Sequence, residues 1–190
     1  MSTAEKLRLP DYRDLAIVLP LLLCAGLTLY IAFALQLPCP GCNAKADFIF
    51  SPNSEQQVLS LIRSAQKTVD IEIYTFSSED VLRELAEAES RGVRVRVIIE
   101  PRTADYRKDR VFGLLLWLGA DARWASMEYN LTHSKFIIID GSKALVGSIN
   151  LSESALNKNR ETAVLLEGDK VKELSAAFEE DWQMATPDVD

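Results

Sequence analysis

The sequence predicts an α/β domain, a mixed β-sheet flanked by helices, preceded by one N-terminal transmembrane helix. Three observations lead there. The segment from Leu15 to Leu37 runs about 23 residues without a charge, long enough to cross a ~30 Å hydrocarbon core as a helix. Beyond Asn43, short runs rich in β-branched residues alternate with amphipathic stretches, the pattern of strands separated by helices. The roughly 148 residues after Cys42 contain no cysteine, so the domain stands on its hydrophobic core, for which that length suffices.

The elements follow in order. Residues 1–14 form a short leading segment and 15–37 the expected anchor, with Pro20 near its first turns and Pro38, Pro40 and Gly41 ending it. A cleaved signal peptide is the alternative, but its apolar region is usually only about 7 to 15 residues. Lys6, Arg8 and Arg13 precede the span and only Lys45 follows it closely. The positive-inside rule then gives a single-pass membrane protein with its amino terminus inside and its domain outside the cytoplasm. The linker, 38–46, contains Cys39-Pro40-Gly41-Cys42, readable as plain thiols, a disulfide or half of an intersubunit metal site.

The domain expected over 47–186 begins with a strand in "DFIF" and a helix from Ser54 to Gln66, where Ser54 and Gln57 have capping-box spacing. "TVDIEIYTF" alternates as a strand does. Ser78 caps a helix that runs to Arg91, with Glu79 and Asp80 favourable at its amino end. Gly92 ends it, and "VRVRVIIE" is the next strand. A helix across Tyr106–Leu118 follows, then strands near 120–125, 136–140, 144–147 and 162–167, and an amphipathic helix in "DKVKELSAAFEEDWQMA".

The chain carries 21 basic and 28 acidic residues, a net charge of −7. That argues against coating nucleic acid by bulk charge, though it leaves room for a local basic groove. Chemistry concentrates in "THSKFIIIDGSKALVGSIN", residues 132–150, which holds the one histidine of the chain. His133 and Lys135, two apart on a strand, leave the same face. A point charge and a nucleophile or proton carrier together suit an anion. Ser148 and Asn150 share a face likewise and can donate hydrogen bonds to phosphoryl oxygens, while Gly147 permits close backbone approach. Asp140 lies about 20 Å from His133 along a straight strand and reads as structural.

His133-x-Lys135-x4-Asp140-Gly141 followed by Gly147-Ser148-x-Asn150 resembles the signature of the phospholipase D superfamily, the HKD phosphodiesterases. "FSPNSEQQVLSLIRSAQKTVDIEIYTFSS", "RGVRVRVIIE" and "NRETAVLL" extend the resemblance from about Asp47 to Glu167, towards the small single-motif members. The resemblance implies a phospholipase D-like fold in which His133 attacks phosphorus to form a phosphohistidine. It implies that Lys135, Ser148 and Asn150 hold the non-bridging oxygens and that Glu161 fixes the imidazole tautomer. It requires no cofactor and no metal. A second histidine must protonate the leaving oxygen, so a homodimer is expected, with the second His133 supplied by a second subunit.

The single-motif relatives that the chain resembles point to nucleic acid as substrate, and the phosphodiesterase to a nuclease. Candidate contacts are Arg102, Arg107, Lys108 and Arg110, with Trp124 and Tyr129 as stacking surfaces. The same basic cluster also reads as a solvated helix face. Phospholipid is the alternative substrate, favoured by the expected anchor and by the apolar run Val111–Ala120. A non-catalytic phosphate-binding scaffold fits less well, because the His, Lys, Ser, Asn and Glu set is intact.

Overall fold

A computed structural model of the protein describes residues 12–36, 45–103 and 110–187. The chain divides into two compact units, Met1–Cys42 and Asn43–Asp190. The first contains helix α1, Tyr12–Gln36, with Pro20 inside it. Among the described residues no helix is long and apolar enough to cross a membrane. The transmembrane anchor over 15–37, the single-pass location and the placement outside the cytoplasm are corrected accordingly. Cys39 and Cys42 lie outside the described residues; Cys24 is an exposed free thiol.

The second unit is built on a seven-stranded sheet: β1 (Lys45–Phe50), β2 (Thr68–Ile73), β3 (Arg94–Ile99), β4 (Asp121–Trp124), β5 (Lys135–Ile139), β6 (Lys143–Gly147) and β7 (Thr162–Glu167). Their order is β1-β7-β6-β5-β2-β3-β4. β2, β3 and β4 pair in parallel, whereas β1, β7, β6 and β5 pair antiparallel, and β5 joins the halves by running antiparallel to β2. The mixed sheet expected from the sequence is thus present, and its parallel half is where the helices intervene.

One face carries α2 (Glu55–Arg63), α3 (Glu79–Ser90) and α4 (Arg110–Trp117). Val58, Ile62, Val81, Leu85, Phe112 and Leu115 from these helices pack on Val69, Ile71, Val97 and Ile137 of the strands. Short α5 (Glu153–Asn157) adds Ala155 and Leu156 to that core. The opposite face is covered by α6 (Val171–Met184), whose Val171, Phe178 and Trp182 meet Ile98, Phe136 and Ile138. Half of α4 faces outward: Leu116 is 49% and Trp117 80% exposed.

Local signals fared unevenly. Ser78 caps α3 as read, accepting from the Val81 amide at 3.3 Å. Ser54 does not form the expected capping box. Its buried hydroxyl donates instead to the Leu156 carbonyl at 3.1 Å, tying the start of α2 to the end of α5. Helix α2 ends at Arg63 rather than Gln66, because Asp140 takes the backbone beyond it. The Asp140 carboxylate accepts from the amides of Gln66 at 3.0 Å, Lys67 at 2.7 Å and Thr68 at 2.9 Å. Burial works to raise that carboxyl's pKa, yet the three amides hold it below the usual range.

Helix α6 is latched to the sheet by a buried charge. Arg96 on β3 donates to Asp70 at 2.7 Å and to Glu179 of α6 at 2.6 Å, with its guanidinium 4.8 Å from the centre of the Phe178 ring. Burial disfavours that charge, but the two carboxylates hold the guanidinium firmly protonated. Removing the cation strands Asp70, so Arg96→Ala is expected to cost about 3 kcal/mol of stability. Urea denaturation followed by circular dichroism checks this; a loss below about 1 kcal/mol would show that the apolar contacts alone hold α6.

Candidate active site

The topology gathers the polar ends of four strands at one edge of the sheet. Because β5 is antiparallel to β2 and β6, its first residue, Lys135, lies opposite Ile73 near the end of β2, and Phe136 lies opposite Val146 near the end of β6. The end of β6 in turn meets the start of β7, where Gly147 pairs with Ala163, and Phe50 at the end of β1 pairs with Thr162. His133, Lys135, Gly147, Ser148, Asn150 and Glu161 therefore line one open cleft of about 410 Å³. Asp140 sits at the far end of β5, outside it.

Each side chain is held by a specific partner. His133 is exposed, with its ring 4.4 Å from that of Tyr74 and tilted by 60°. Lys135 is only 8% exposed; its Nζ donates to the His133 carbonyl at 2.7 Å and lies 5.1 Å over the Tyr74 ring. Burial lowers the lysine pKa, and Glu161 opposes that fall. The Asn150 Oδ1 accepts from the Thr75 amide at 3.1 Å, which leaves its amide hydrogens for a ligand. The arrangement can bind a tetrahedral anion between Lys135, Ser148 and Asn150, in front of an accessible imidazole.

Within one copy of the chain, Glu161 is held by its neighbours in the cleft. Its carboxylate accepts from Ser148 Oγ and from Asn159 Nδ2, the latter at 3.2 Å, rather than from the imidazole. Ser148 Oγ itself accepts from the Thr162 amide at 3.1 Å. Glu161 here takes the one hydrogen of that hydroxyl, so Ser148 meets a phosphoryl oxygen only by turning from the carboxylate. Gly147 has a steric reason: a Cβ there would come 2.3 Å from the Thr162 carbonyl oxygen and 2.5 Å from the Ala163 Cα.

Some sequence candidates are spent elsewhere. Trp124 is 3% exposed and stacks on Phe112 at 4.0 Å, so it offers no surface to a base. Arg102 pairs with Glu100 at 2.9 Å and donates to the Tyr129 carbonyl at 2.8 Å. Arg110 forms an exposed ion pair with Glu79 at 3.3 Å. Tyr129 is 47% exposed, while Arg107 and Lys108 lie outside the described residues.

Sequence reasoning missed Glu100, the residue that anchors the histidine loop. It is fully buried after β3, accepts from the Thr132 amide at 2.7 Å and holds Arg102, which grips the loop at Tyr129. The available signal was a carboxylate closing the apolar run "VIIE" at a position that periodicity buries. Two outcomes follow. Glu100→Gln is expected to lower kcat/KM on bis(p-nitrophenyl) phosphate on the order of 10-fold or more by loosening His133. Gly147→Ala is expected to cost roughly 1–3 kcal/mol of stability and most of the activity, since the β6–β7 backbone must part. Wild-type kinetics in either variant would remove the positional role assigned here.

A sequence profile described as "Cardiolipin synthase, PLD-like domain" matches residues 58–182. A mitochondrial cardiolipin hydrolase of Chlamydomonas reinhardtii is 30% identical over 162 residues, covering 78% of this chain and 70% of that protein. That of Xenopus tropicalis is 33% identical over 135 residues, covering 69% of this chain and 62% of that protein. The chain thus spans roughly two thirds of the length of these relatives. The crystal structure of a phospholipase D family member, Nuc from Salmonella typhimurium, superposes with a TM-score of 0.68 at 25% identity, over 75% of this chain and 97% of that one. With its fold, its motif and this profile in agreement, the chain belongs to the phospholipase D superfamily, a family of phosphodiesterases.

Proposed function

We propose that residues 47–186 form the catalytic domain of a phosphodiesterase that works through a phosphohistidine, with its active site shared by two copies of the chain. The observation that carries this reading is the single cleft in which His133 stands exposed beside Lys135, Ser148 and Asn150. A nitrogen of His133 attacks phosphorus, the P–O bond to the leaving alcohol breaks, and that oxygen takes a proton from the His133 of the second copy. The second imidazole, now neutral, removes a proton from water, which attacks phosphorus and releases His133. Lys135, the Asn150 amide and Ser148 offset the charge on the non-bridging oxygens throughout.

The leading substrate is nucleic acid, so the enzyme is a nuclease. What supports this is the resemblance of the motif and its surroundings to small single-motif endonucleases. Tyr129, exposed on the loop that leads to His133, is the stacking surface that remains. Phospholipid is the second reading. It is favoured by the relatives named cardiolipin hydrolase and by Met127 and Leu131, which are 57% and 43% exposed beside Tyr129.

Two experiments test these readings. Mixing wild type with equal His133→Ala protein under exchange is expected to leave about a quarter of the dimers active, as a shared site requires. Retention of half the activity would mean that each copy works alone. Offered single-stranded DNA, RNA, phosphatidylcholine and cardiolipin in separate reactions, the enzyme is expected to cleave nucleic acid. Cleavage of lipid alone would reverse the ranking, and inactivity on all four would leave a phosphate-binding scaffold.

A further inference from the structure

What fixes the imidazole within one copy of the chain is a ring contact. Among the described residues the His133 ring forms no hydrogen bond; its backbone carbonyl is the group engaged, by Lys135. An exposed imidazole on a loop turns about two torsions, the second of them soft, and most orientations take the attacking nitrogen out of line with phosphorus. Tyr74 supplies what hydrogen bonding does not. Its ring centre lies 4.4 Å from that of His133, with the two planes tilted by 60°.

Tyr74 can serve as a fixed wall because its backbone is held on both sides. It follows directly on β2, whose last residue, Ile73, pairs with Lys135. The Thr75 amide donates to Asn150 Oδ1 at 3.1 Å, and the Thr75 carbonyl accepts from the Leu151 amide at 3.1 Å. Phe76 then forms a parallel bridge to Leu151. Residues 74–76 thus tie the first half of the motif, His133 and Lys135, to the second, Asn150. The Tyr74 side chain is half-buried, and its hydroxyl makes no hydrogen bond among the described residues. The ring, not the phenol oxygen, makes the contacts.

The same ring meets a second basic group. Lys135 Nζ lies 5.1 Å from its centre, within the range at which a π face attracts an ammonium. His133 is itself cationic whenever it carries the proton for the leaving oxygen. An aromatic face favours both cations while adding no charge of its own, whereas a carboxylate in this place would repel a phosphodiester. We propose that Tyr74 is a positioning residue of the cleft, its ring holding the His133 imidazole in the orientation for attack and bracing Lys135 beside it. The positioning role rests on the phosphodiesterase reading; the ring contact does not.

The chain has one histidine, so a single set of imidazole signals in the NMR spectrum of the full chain reads this contact directly. Tyr74→Leu keeps an apolar side chain but removes the ring. It is expected to abolish the ring-current shift of those signals and to lower kcat on bis(p-nitrophenyl) phosphate on the order of 10-fold. KM should change by no more than about 2-fold, because the anion keeps its contacts to Lys135 and Asn150. Tyr74→Phe is expected to restore both the shift and kcat. Wild-type kcat or unmoved imidazole signals in Tyr74→Leu would overturn the assignment, as would a Tyr74→Phe protein as slow as Tyr74→Leu. Should Tyr74→Leu fail to fold, nuclear Overhauser contacts between the two rings in the wild-type protein carry the test, and their absence overturns it. A wild-type protein that leaves the phosphodiester intact, while Tyr74→Leu still moves the imidazole signals, would count against the phosphodiesterase reading alone.

Discussion

The antiparallel hydrogen bonding of β5 to β2 is the constraint on which the site depends. It is the seam between the parallel and antiparallel halves of the sheet, and it brings the start of one strand to the end of the other. Slipping that register by one residue would turn Lys135 from the α2–α3 core to the face beneath α6 and carry His133 away from Ser148. The register is secured from both ends. Asp140 fastens the far end of β5 to three amides ahead of β2, and Glu100 fastens the loop before its near end. Two carboxylates that touch no substrate thus set where the imidazole stands.

Electrostatics divide the neighbourhood of His133 into two unlike halves. On one side Lys135 supplies a positive charge at the floor of the cleft, weakened by burial and supported by Glu161. On the other, Glu72 and Asp181 face a cavity without a basic group. An anion is therefore drawn to the first half. In a chain of net charge −7, such local separation matters more than the overall sum.

The hydroxyl of Ser148 is held from two sides. It gives its proton to Glu161 and accepts from the Thr162 amide, while Gly147 lets β6 and β7 approach closely enough for this to happen. Glu161 therefore holds Ser148 within one copy of the chain. The pairing of Glu161 with an imidazole, which the resemblance implies, belongs to the proposed site shared by two copies.

Periodicity carried the strands and their alternation with helices, because side-chain direction in a strand is fixed by backbone geometry alone; His133 just before β5 and Ser148 and Asn150 just after β6 lie in loops, where that rule does not place them. Ser78 as a cap was legible because its partner lies three residues away. Ser54 was misread because its partner, Leu156, is 102 residues distant. Trp124 and Arg102 were taken for binding groups because burial by Phe112 and capture by Glu100 arise from packing between elements. By itself the sequence determined the strands, their order along the chain and the motif whose polar residues flank them. Only the tertiary structure decided which of them meet, since strand order, register and the burial of charge depend on contacts that no local pattern encodes.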